Sequence, residues 1–88
     1  MMTSDSRPGS VVSRLHLVLA GAGGLPLGDV DQIEVLIQAG EYLIAFENLC
    51  TQLDEYEIPL TPTELTLISE LAVDLRADQR FYSRLADK

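Results

Sequence analysis

The segment Gly40–Ile68, GEYLIAFENLCTQLDEYEIPLTPTELTLI, constrains the fold more than any other part of this 88-residue chain. Leu43, Phe46, Leu49, Cys50 and Leu53 recur at steps of three and four, so a helix over Glu41–Glu55 places them on one face. Its other flanks carry Glu41, Glu47, Asn48, Thr51, Gln52, Asp54 and Glu55. The helix has to stop at Ile58-Pro59, because a residue before proline is held extended and proline has no amide to continue the ladder. Thr61-Pro62-Thr63-Glu64 then starts another. Thr61 caps, Pro62 occupies the first helical position where an amide would be spare, and Glu64 reaches back to close a capping box. That helix is expected from Pro62 to about Arg76, with Leu65, Ile68, Leu71, Ala72 and Leu75 inward. Two amphipathic helices joined by so short a turn are expected to pack antiparallel.

The flanking segments are read by the same signals. Ser10 is a cap for a helix from Val11 to about Ala20, with Val11, Leu15, Val18 and Val12, Leu19 on adjoining stripes. The branched residues of Leu15–Leu19 also fit a strand. Gly21–Gly28 (GAGGLPLG) is a loop, and Pro26 stands where a dinucleotide fingerprint needs a glycine. The next helix starts at Asp29 or Asp31, since both D-x-x-Q and D-x-x-E have capping-box spacing. Ile33, Leu36 and Ile37 form its inward stripe, with Val30 and Val35 beside it, and Gly40 supplies the left-handed residue that ends it. Asp78 caps a final turn or two bearing Phe81, Tyr82 and Leu85, and Arg76, Arg80, Arg84 and Lys88 run at steps of four as a cationic ridge. The expected architecture is all-α: one small domain of four to five helices over residues 10–88, preceded by a disordered polar tail at residues 1–9.

Charge narrows the function. The chain carries 14 Asp and Glu against 6 Lys and Arg, a formal net charge of −8. All six cations lie outside Leu15–Leu75, a segment with eleven acids. Such a surface repels nucleic acid and anionic membrane and attracts a basic partner, although acidity also serves plain solubility. No apolar run reaches the roughly 18 residues that span a bilayer. Met1–Leu19 makes a poor secretory signal, because Ser13 and His16 interrupt its apolar centre, although Ala20-Gly21-Ala22 has the composition of a cleavage site. The expected compartment is the cytoplasm, and a lone Cys50 requires no oxidising one.

Catalytic groups are scarce. His16 is the only histidine, and Cys50 falls on an apolar stripe, where a thiol acts as a small hydrophobe with a raised pKa. One His and one Cys do not close a tetrahedral metal site without carboxylates, and adjacent acids such as Asp54 and Glu55 point in different directions on a helix. No enzyme activity, cofactor or metal is expected.

The order of features from Val30 to Leu85 resembles the MafI-type immunity proteins. It consists of a short apolar helix, Gly40-Glu41-Tyr42, Ala45, the Leu49-Cys50-x-x-Leu53 run, an acidic turn bearing Tyr56 between Asp54 and Glu57, and Ile58-Pro59. That resemblance implies a small intracellular protein that neutralises a secreted polymorphic toxin of the kind used in contact-dependent growth inhibition, often a nuclease. Charge and exposure, rather than the family pattern, select Glu41, Glu47, Asp54, Glu55 and Glu57 as contacts to the toxin domain. Tyr56 serves as an aromatic anchor, with Tyr42 and Gln52 secondary. Gly40, Cys50 and Pro59 fit the pattern as architecture. The alternative is an acidic helical regulatory or scaffold module, a homodimer if Ile44, Leu60 and Leu67 form one exposed apolar patch.

Overall fold

The structure, a computed structural model, describes residues 10–86. They form α1 Val11–Gly21, α2 Leu27–Gln38, α3 Tyr42–Glu55, α4 Pro62–Leu75 and α5 Ser83–Ala86, with a 3-10 turn at Gln79–Phe81 ahead of α5. The tail at residues 1–9 and Lys88 lie outside the described residues, so the expectations placed on them are not addressed. Among the described residues there is no strand, and the branched run Leu15–Leu19 is helical.

Capping chemistry decides most of the helix starts. The Ser10 hydroxyl accepts the Ser13 amide at 2.9 Å, while the backbone of Ser10 stays extended. At α4 the box is complete: Thr61 Oγ1 accepts the Glu64 amide at 3.1 Å, and Glu64 Oε1 accepts the Thr61 amide at 2.9 Å. The Glu64 carboxylate also passes over Gly21, and a Cβ there would displace it from its place in the capping box. The start of α2 corrects the expectation of a cap at Asp29 or Asp31. The Pro26 carbonyl accepts the amides of Asp29 and Val30, both at 3.1 Å, which closes the first turn upstream and begins the helix at Leu27 without a side-chain cap. Asp29 keeps a role in the first turn, where its charge faces the positive end of the helix dipole.

Three helices end by one backbone device. At the end of α2 the Glu41 amide reaches back to Leu36 O (2.9 Å) and the Gly40 amide to Ile37 O (3.0 Å), around Gly40 at φ +81°. The same pair of bonds closes α3, from Ile58 to Leu53 O and Glu57 to Asp54 O, and α4, from Ala77 to Ala72 O and Arg76 to Val73 O. There the left-handed residues are Glu57 (φ 50°) and Arg76 (φ 57°), whose side chains make that conformation unfavourable by roughly 1 kcal/mol. Glu57→Gly and Arg76→Gly are each expected to raise the unfolding free energy by about 0.5–1 kcal/mol, read as a higher urea midpoint. An unchanged or lower midpoint contradicts the left-handed assignment.

The core is aliphatic around one aromatic ring. Phe46, Leu15, Ile33, Leu49, Leu53, Ile68, Leu71, Val18 and Cys50 are all sealed from solvent. Leu43, expected inside, and Val35, expected beside the inward stripe, are both exposed. Leu43 is 38% exposed, because the buried sector of α3 centres on Phe46, Leu49 and Leu53 and is completed by Ala45, which leaves Leu43 at its margin. Val35 is 65% exposed, as it lies opposite Ile33 and Ile37 around α2.

Helix pairing also departs from expectation. The most extensive contacts are α1 with α4 and α2 with α3, whereas α3 and α4 meet over a smaller area despite being consecutive. The non-helical link through Ile58, Pro59 and Leu60 carries α4 off α3, and α1 packs beside it. Arg14 fastens that pair. Its side chain is buried, its guanidinium pairs with Asp74 and lies 3.8 Å from Glu70, and its Nε donates to Ser10 O at 3.4 Å. The cationic ridge does not form as a continuous row. Arg76 is left-handed and breaks the helical register, Arg80 pairs with Asp78 and lies over the Phe81 ring, and Arg84 turns to Asp54.

Candidate protein-binding surface

The whole net charge of −8 arises between Leu27 and Glu57. Asp29, Asp31 and Glu34 on α2, with Glu41, Glu47, Asp54, Glu55 and Glu57 on or beside α3, share that segment with no Lys or Arg. The remainder of the sequence carries as many bases as acids. Because α2 packs on α3, these acids lie on or beside two adjoining helices. Among the described residues α1 and α4 carry Arg14 against Glu64, Glu70 and Asp74, while Arg80 and Arg84 belong to the 3-10 turn and α5, which pack on α3.

The residues chosen from the sequence line α3 from end to end and do not converge on one spot. Glu41 precedes the first turn and Glu55, Tyr56 and Glu57 end the helix, roughly 20 Å away along an axis that rises about 1.5 Å per residue. Glu41, Glu55 and Glu57 are exposed, and Glu47 is half-buried. Asp54 is also half-buried and accepts from Arg84 Nη1 at 3.3 Å. Although all six cations lie outside Leu15–Leu75 in sequence, Arg84 and Arg14 reach its acids in space, meeting Asp54, Glu70 and Asp74.

Tyr56 is 46% exposed, so its ring is available to a partner. The charge of Asp29, aided by some desolvation, a hydrogen bond to the same carboxylate and the charge of Glu55, pushes its hydroxyl above the usual pKa. Tyr56 therefore lies close to Asp29, in the first turn of α2. At the other edge His16 Nε2 meets Glu34 Oε1 at 2.9 Å, joining α1 to α2.

An outer stripe on α3 was not singled out as a set from the sequence. Ile44, Asn48, Thr51 and Glu55 follow one another at steps of four, three and four opposite the core face, and Ile44 is 45% exposed. The signal for it is the same helical spacing, read on the face opposite the apolar stripe. Of the residues considered for self-association, Leu60 and Leu67 are half-buried against the core, and only Ile44 is exposed.

Cys50 has no nucleophilic setting. It is sealed beneath α3, and burial, with the nearby charge of Glu47 adding, pushes its thiol from the usual 9.0 up to about 12. His16 is engaged by Glu34. A thiol whose folded pKa is raised binds its proton more tightly in the native state, so its contribution to stability is complete below pH 9 and is lost as the pH rises towards 12. Stability is expected to fall by up to about 1.4 kcal/mol per pH unit across that window from this group alone. Comparing urea midpoints of wild type and Cys50→Ala at rising pH checks this. An equal slope in both contradicts it.

Among the described residues no group of three or more His, Cys, Asp and Glu is placed to hold a metal ion. None of their helices is long and apolar enough to cross a membrane. No protein-family model matches the chain, and neither a curated protein nor a solved structure does.

Proposed function

We propose that this chain is an immunity protein of the MafI type, which binds and neutralises a cognate secreted toxin domain in the cytoplasm through the acidic surface of α2 and α3. The observation that carries this reading is the confinement of the entire net charge to Leu27–Glu57. Eight acids on or beside two adjoining helices, in a segment with no Lys or Arg of its own, steer a basic partner in and help align it. A toxin that handles nucleic acid is basic where its substrate lies, and exposed carboxylates at Glu41, Glu55 and Glu57 are chemically suited to cover such a groove. Tyr56 supplies aromatic area at the end of the same helix. The order of motifs from Gly40 to Pro59 supports the same conclusion.

The test is genetic and direct. The gene is expected beside one for a large secreted protein with a variable C-terminal domain. Co-expression of the two is expected to abolish that domain's toxicity, with a Kd at or below about 1 nM. Growth arrest that persists under co-expression, with both proteins present and soluble, contradicts the proposal. A homodimeric scaffold is disfavoured by the same charge, since two such acidic surfaces brought face to face repel. Sedimentation at the monomer mass is the corresponding expectation.

A further inference from the structure

An apolar cleft of about 630 Å3 opens between the α3–α4 link and α5, lined by Glu57, Ile58, Pro59, Leu60, Leu65 and Leu85. Its volume lies in the range of about 300–1,000 Å3 usual for sites that enclose a ligand group. Ile58 and Leu85 make a buried floor, and Leu60 and Leu65 are half-exposed walls. Among the described residues Glu57 is the only ionisable one of the lining. Its backbone is fixed by the closing bonds of α3 in the left-handed conformation, and the residue is exposed where it lines the cleft. The nearest cation in sequence, Arg84 beside Leu85, is turned to Asp54 and answered there.

We propose that this cleft receives an arginine side chain of the partner. The aliphatic stem lies on Leu60, Leu65 and Leu85, and the guanidinium meets Glu57. Arginine combines an apolar stem with a permanently charged fork, which is the complement of an apolar trough with one carboxylate at its mouth. The rim charge argues for this occupant over an uncharged apolar one. Glu57 belongs to Leu27–Glu57, a segment with eight acids and no Lys or Arg of its own, so the field at the mouth favours a cation. The assignment of the arginine to a toxin rests on the function proposed above. The preference of the cleft for a cation with a stem does not.

Hexylguanidinium, titrated into the full-length protein at low salt, isolates that preference. Saturable shifts are expected at the methyl resonances of Ile58, Leu60, Leu65 and Leu85, with hexanoate binding more weakly than hexylguanidinium. Glu57→Gln, which keeps the side-chain length, is expected to weaken hexylguanidinium about three- to fivefold, and added salt to remove most of that difference. Circular dichroism of the variant confirms that any loss is not unfolding. Absence of methyl shifts, hexanoate binding as tightly as hexylguanidinium, or an unchanged affinity in Glu57→Gln overturns the assignment. Failure of this titration with toxin neutralisation intact removes the cleft alone. Binding of hexylguanidinium without neutralisation removes the toxin as the source of the arginine.

Discussion

Truncation of Phe46 to alanine is expected to lower the unfolding free energy by about 3–5 kcal/mol, the largest stability loss of any single substitution considered for this chain. The ring is fully buried, and it lies on α3, the one helix that packs against α1, α2, α4 and α5. Removing it deletes transfer free energy and leaves a cavity between several helices at once, where partial collapse of one neighbour does not refill the space. A domain of this size retains roughly 5–10 kcal/mol in all, so the variant is expected to be substantially unfolded near 37 °C. Ile44→Ala, two residues earlier but on the outer stripe, is expected to change stability by less than about 0.5 kcal/mol. Urea unfolding of the pair measures the contrast. A Phe46→Ala midpoint close to that of Ile44→Ala places the core elsewhere than on α3.

Local chemistry was legible in the sequence, and long-range placement was not. The caps at Ser10 and Thr61, the left-handed Gly40 and the stop at Ile58-Pro59 each follow from groups within a few residues of one another, and each appears in the structure. The start of α2 was misplaced because a proline carbonyl closed the first turn, and capping-box spacing says nothing of carbonyls. Leu43 reads as inward, and Val35 as adjoining the inward stripe, because a stripe of apolar residues has no marked edge. Where it ends depends on which helices cover it, and α3 is covered on the side of Ala45. The pairing of α1 with α4 depends on Arg14 finding Asp74 and Glu70 some 60 residues away, which no periodicity encodes.

The candidate surface was legible in part. Its anionic character and the exposure of Glu41, Glu55, Tyr56 and Glu57 follow from composition and helix phase. That Asp54 is engaged by Arg84 was hidden, because the final arginines looked like a helical ridge. The left-handed residue at Arg76 redirects the chain, and only then does Arg84 reach α3. The cleft beside Glu57 was equally hidden, since its walls come from the α3–α4 link, α4 and α5.

The acids of α3 themselves provide the second large effect. Replacing Glu41, Glu47, Glu55 and Glu57 together by glutamine keeps side-chain size and leaves the Asp54–Arg84 pair and the capping box of Glu64 untouched. The fold is therefore expected to survive with little change in its urea midpoint. Affinity for the toxin domain encoded beside the gene is expected to fall about 10- to 100-fold at low ionic strength, mainly through slower association. The decisive measurement is the Kd of wild type and of this quadruple variant at about 20 mM and about 500 mM salt, where screening shortens from tens of ångströms to a few. The wild-type complex is expected to weaken steeply with salt, the variant only slightly, so that the two approach each other at high salt. Equal affinities at low salt would contradict the acidic surface of α3 as the site of capture.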